Sequence, residues 1–174
     1  MTARLLPEHI DPFRYAEQKL RLQGVVSIAG MKRLESLLHH HEGEVVVHLQ
    51  FGVDEQGLAY IKGHLNTLLT LQCQRCLGPF NYEIISDFML GMVRSLGEVN
   101  TLPDSYEPAV IEEGELEIKT MIEDELILNI PIIPKHQEDC TASLVLSQAG
   151  KEQQDEGKPN PFHVLESLKH KQQR

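Results

Sequence analysis

The sequence predicts an α+β fold: an antiparallel curved sheet or partial barrel with a few flanking helices and a tethered C-terminal helix. Three observations predict it. Residues 44–93 alternate apolar and polar side chains between turn residues, the period-two signature of half-buried strands. Helix-entry punctuation appears twice, at Asp11-Pro12 and at Asn160-Pro161. Finally, 174 residues that are 41% apolar suffice for the core of one ordinary domain with appendages. The predicted organisation is a single domain over residues 1–140, with an acidic connector at about 95–115, then a flexible linker at 141–158 and a helix and tail at 159–174.

The elements follow in order. In "DPFRYAEQKLRLQG", Asp11 caps a helix, Pro12 occupies its first position and Gly24 lies beyond its end, with Phe13, Ala16 and Leu20 on one face. "GVVSIAG" reads as a short strand. "MKRLESLLHHHEG" reads as a second helix with Met31, Leu34, Leu37 and Leu38 inward and Gly43 as its stop. In "EVVVHLQFGV", Val45, Val47, Leu49, Phe51 and Val53 share a face. "DEQG" offers Gly57 for a left-handed hairpin position. "LAYIKGHL", "NTLLTLQC" and "FNYEIISDFMLGMVR" continue the meander, the last with Tyr82, Ile84, Phe88, Leu90 and Met92 on one side. The stretch from Ser95 to Glu115, with Pro103 and Pro108, reads as an irregular connector. Ile118, Met121, Ile122 and Leu126 then recur at helical spacing until Pro131 and Pro134. "NPFHVLESLKH" repeats the entry grammar of the first helix.

Charge is placed unevenly. The net charge is −10, and residues 95–139, with twelve Asp/Glu against Lys119 and Lys135, account for all of it. Such a stretch repels phosphate backbones; it serves either as a solvated face or as a surface for a basic protein. Glu112, Glu113, Glu115, Glu123, Asp124 and Glu125 are the candidate partner-binding residues. Direct RNA contact is left to the two positive ends, residues 1–34 and 158–174. With aromatics at 5% and no tryptophan, a base-stacking platform is not expected. The opening residues lack a signal peptide's apolar run, no apolar stretch is long enough to span a membrane, and three cysteines make no disulfide framework. Reduced thiols in a cytoplasmic setting are expected.

"LQCQRCLGPF" carries the sharpest chemistry. Cys-x-x-Cys lets two sulfurs reach one ion from a tight turn, and His136 and Cys140, four apart, could complete a Cys3His zinc site with Cys73 and Cys76. Fifty-nine residues separate Cys76 from His136, so only the tertiary fold could close such a site. The alternative is buried thiols packing as small apolar groups. A redox pair needs a helix N-terminus to lower its pKa, and none is offered here. No nucleophile elbow, Walker loop or His-Glu-x-x-His helix occurs, so no enzymatic activity is expected. His39, His40 and His41 splay around a helix and suit its C-terminal dipole better than a metal.

"DPFRYAEQKLRLQG", "LQCQRCLGPF", "MIEDELILNIPIIPKH", Cys140 and "KPNPFHVLESLK", in this order over residues 11–169, resemble the YceD family, the large ribosomal RNA subunit accumulation proteins of bacteria, with plastid relatives. The resemblance is to the proteobacterial branch in particular, through the single Cys140 and the closing Asn-Pro-Phe helix. It implies a non-enzymatic role in making or stabilising large-subunit ribosomal RNA, and a large-subunit ribosomal protein or pre-ribosomal particle as partner. It transfers no catalytic residue.

Overall fold

The structure of the protein, a computed structural model, describes residues 5–111 and 114–140. Along the chain these form β1 (His9–Ile10), α1 (Pro12–Glu17), β2 (Arg21–Ser27), α2 (Lys32–Glu35), β3 (Glu44–Val53), β4 (Ala59–Gln72), β5 (Pro79–Val93), β6 (Glu107–Val110), β7 (Leu116–Glu117) and α3 (Ile118–Asn129). A single 3-10 turn, Leu96–Thr101, lies between β5 and β6. The chain divides into two units, Met1–Glu138 and Asp139–Arg174. The expected linker and C-terminal helix lie outside the described residues.

Alternation dictates the centre of the fold. β2 to β5 form an antiparallel meander, and β6 adds to β5 in parallel, giving the order β2-β3-β4-β5-β6. The sheet is open, with β2 and β6 at its edges; β1 and β7 pair separately. Val45, Val47, Leu49 and Phe51 of β3 are buried on one face with Ile61, Leu65, Leu69 and Leu71 of β4. Ile84, Phe88, Leu90 and Met92 of β5 extend that face, and Ala16, Leu34, Ile118, Ile122 and Leu126 of the helices close over it in one cluster. The α+β expectation therefore holds, with a single open five-stranded sheet at its centre.

Three local expectations change. Asp11 does cap α1, its Oδ1 accepting from the Arg14 N–H at 3.0 Å, but the helix stops at Glu17. Lys19 turns the chain at φ 52°, and the strand begins at Arg21. Seven register pairs with β3, from Arg21↔Gln50 to Ser27↔Glu44, outweigh the helix propensity of "KLRLQ" and place Gly24 inside a strand. The second helix shrinks to one turn, because Leu38 leaves it to bridge Leu71 and His39 N–H donates to Thr70 O at 2.7 Å. β4 outruns β3 there, and its bare edge offers backbone partners to this segment. The three histidines consequently follow no helix C-terminus. The connector, finally, contains β6, whose Pro108 is tolerated because β6 is an edge strand.

Gly63 faces Phe88 across the β4–β5 ladder, and a Cβ there would lie 1.9 Å from the ring's Cζ. Gly63→Ala is therefore expected to cost about 1–3 kcal/mol in urea unfolding, the usual penalty for overpacking. A midpoint equal to the parent's would mean that the ring swings aside freely.

Candidate metal centre and acidic face

The β4–β5 hairpin brings its ends together at Leu71↔Phe80 and Gln72↔Pro79, so residues 73–78 must reverse within a tight loop. Cys73 N–H donates to Gly78 O and Leu77 N–H to Cys73 O, both at 2.9 Å, with Leu77 left-handed at φ 62°. The loop also points the Arg75 N–H at Cys73 Sγ, 3.4 Å away. The Cys-x-x-Cys pair thus sits on a turn between strands.

After α3 the chain runs on through Pro131 and Pro134, which cannot continue the helix, and this segment returns across the turn. Gln74 N–H donates to Pro134 O at 2.8 Å, and the Arg75 guanidinium donates to Glu138 O at 3.4 Å. His136 lies against the Phe80 ring, centroids 5.1 Å apart, and sets Nδ1 3.5 Å from Cys76 Sγ. Ligand atoms of Cys73, Cys76 and His136 lie within 4.8 Å of one another. Cys73 is buried, and Cys76 and His136 are half-buried.

This donor set fits zinc. Bond lengths of about 2.3 Å to sulfur and 2.1 Å to nitrogen give a tetrahedral edge of about 3.6 Å, close to the Cys76–His136 separation. Burial opposes ionisation of Cys73, yet N–H groups of Cys76, His136 and Arg75, with the His136 ring, overcome it and bring the thiol to about 5. A thiolate at neutral pH is the form that ligates. Cys140, the fourth residue of the expected set, lies in the second unit and is a half-exposed thiol outside any disulfide.

The predicted acidic residues separate into different surroundings. Glu112 and Glu113 lie outside the described residues, and Glu115 is exposed ahead of β7. Glu123 turns inward: Oε1 accepts from the Arg33 and Leu34 N–H groups at 2.8 and 3.1 Å, and Oε2 from Arg33 Nη2 at 2.8 Å. Burial pushes this carboxyl up, but the Leu34 N–H and Arg33 prevail and hold it below its ordinary range. Met31, at the head of α2, has no side chain that caps, so Glu123 caps that turn from across the fold. Asp124 is exposed and pairs with the Arg33 guanidinium. Glu125 is buried on the other flank of α3, facing β6. Arg33 and Glu107 were not singled out by sequence reasoning. Arg33 lies ninety residues from its partner, and Glu107 stood in a stretch read as irregular.

Among the described residues, no helix is long and apolar enough to cross a membrane. Residues 61–169 match the family profile described as large ribosomal RNA subunit accumulation protein YceD. A protein of Haemophilus influenzae bearing that same name is 34% identical over 169 residues, covering 95% of this chain and 97% of its own length. No solved structure matches the chain.

Proposed function

The chain belongs to the YceD family, and from that premise we propose that it supports the synthesis, processing or stability of large-subunit ribosomal RNA by binding a basic ribosomal protein or an assembly intermediate that presents one. The observation that carries this reading is the location of charge. The whole net charge of −10 falls within residues 95–139, where Glu98, Asp104, Glu107, Glu115, Glu117 and Asp124 are exposed. A face of that sign repels phosphate and draws basic polypeptide, raising encounter rates and rejecting wrong partners. No reaction is assigned to the protein; the named relative is called an accumulation protein.

Capture of the full chain from cells, with mass spectrometry of its partners at two salt concentrations, tests the reading. Large-subunit ribosomal proteins are expected at low salt and mostly lost at high salt. Recovery of naked ribosomal RNA with a steep salt slope, and no ribosomal protein, would transfer the function to the basic ends of the chain.

A second reading is favoured by the Cys73–Cys76–His136 geometry. Zinc held by these three, with Cys140 as the fourth ligand, would pin the segment after α3 to the β4–β5 turn. Four residues of chain from His136 are tether enough for the Cys140 thiol to reach such an ion.

A further inference from the structure

Between β6 and α3 runs a groove of about 510 Å3. Leu90, Ala109, Met121 and Leu128 supply its apolar lining, and Glu107, Glu117 and Asp124 supply carboxylates. Glu125 also lines it and is 7% exposed. Its carboxylate has no hydrogen bond and no ion pair among the described residues; only its backbone carbonyl is used, by Asn129. Burial, and then the charges of Glu107 and Asp124, raise this carboxyl to about 7.

The cations on α3 and paired to it are committed elsewhere. Arg33 is held by Glu123 and Asp124, and Lys119 Nζ donates to Ala29 O. A carboxylate this little exposed and without a counter-charge is costly to ionise, and a cation brought into the groove would relieve that cost. A divalent ion does not fit. Among the described residues, the group whose ligand atoms converge closely enough to share an ion is the Cys/His set, not these carboxylates. The groove suits a cation on a long apolar stem, since lysine and arginine lay their methylenes on apolar surface and carry the charge at the tip.

We propose that this groove receives a lysine or arginine side chain from a partner polypeptide, its stem on Leu90, Met121 and Leu128 and its charged head between Glu125 and Glu107. The inference rests on the proposed binding of a basic protein and gives that binding its anchor. RNA is the wrong occupant, because its phosphates would meet four carboxylates.

The test uses full-length protein and purified total large-subunit ribosomal proteins as the probe. Three variants are compared with the parent: Glu125→Gln, Leu128→Arg and Glu83→Gln. Glu125→Gln keeps the side chain's shape and is expected to cut recovery of the bound proteins about tenfold or more. Leu128→Arg places a cation of the chain's own at an exposed position on the groove and is expected to do likewise. Glu83→Gln, at an exposed carboxylate of β5 outside both the groove and residues 95–139, is expected to change recovery by less than about twofold. Unfolding is not expected to confuse the result. The Glu125 carboxyl is raised in the folded state, so the parent loses stability as pH climbs from its ordinary range through about 7. Glu125→Gln should therefore melt above the parent at pH 8 and with it at pH 4. Recovery by Glu125→Gln equal to the parent's would overturn the groove assignment and leave the proposed function standing. Failure of the parent itself to bind any of these proteins would overturn both.

Discussion

Glu123→Ala is expected to destabilise the protein by about 2–4 kcal/mol, clearly more than Arg33→Ala. The order follows from which groups each change strands. Without the Glu123 carboxylate, the Arg33 and Leu34 N–H groups lose their acceptor, and the Leu34 bond lies in the buried core. Arg33 itself, its side chain 52% exposed, returns to water at little cost. Without the Arg33 side chain, by contrast, Glu123 still accepts both backbone N–H groups and keeps its place. Glu123→Gln should fall between, since an amide oxygen can still cap but carries no charge. Urea unfolding of the three variants decides it: equal losses for Glu123→Ala and Arg33→Ala would mean that the ion pair, not the cap, holds α2 to α3.

Cys73→Ser is expected to take zinc from about one ion per chain to almost none, and to lower the melting temperature by about 5–10 °C. Zinc should be quantified by mass spectrometry on protein purified without added metal. The loss is smaller than for a zinc finger, because the β2–β5 meander and α3 bury a core that needs no metal. What the ion would add is local. Hydrogen exchange after α3, over residues 131–138, should speed up in Cys73→Ser while β3 and β4 remain protected. Almost no zinc in the parent would end the metal reading and leave Cys73 as a thiolate stabilised by the N–H groups around it.

The parts of the fold legible in the sequence are those fixed by local pattern. β3 to β5 follow from period-two alternation, α3 from its 3.6-residue stripe, and the α1 start from Asp11-Pro12. The Cys-x-x-Cys pair was legible as a turn because strand patterns stand on both sides. Less legible were the segments whose state is chosen by distant pairing. "KLRLQG" satisfies a helix pattern until β3 offers it a ladder, and Leu37-Leu38 continue a helical stripe until Leu71 offers a bridge. β6 is four residues long and parallel to β5, so its own alternation says nothing of its partner. The site divides in the same way. Cys73, Cys76 and His136 could be nominated by ligand type, whereas Glu123 capping α2 depends on a contact no spacing encodes.

The short β1–β7 pairing, His9↔Glu117 and Ile10↔Leu116, has a consequence for how the protein is made. During synthesis the meander is complete once Val93 has emerged, but its inner face waits for Ile118, Ile122 and Leu126, and β1 has no partner until Leu116 and Glu117 arrive. At ordinary elongation rates the stretch from Val93 to Asn129 takes about 2–7 s. Throughout that interval a nascent sheet shows bare apolar surface to a crowded cell. The chain that emerges next is the acid-rich stretch after Ser95. Its charge reaches the unfinished protein before its cover does, and it keeps neighbouring nascent chains apart until α3 closes the core.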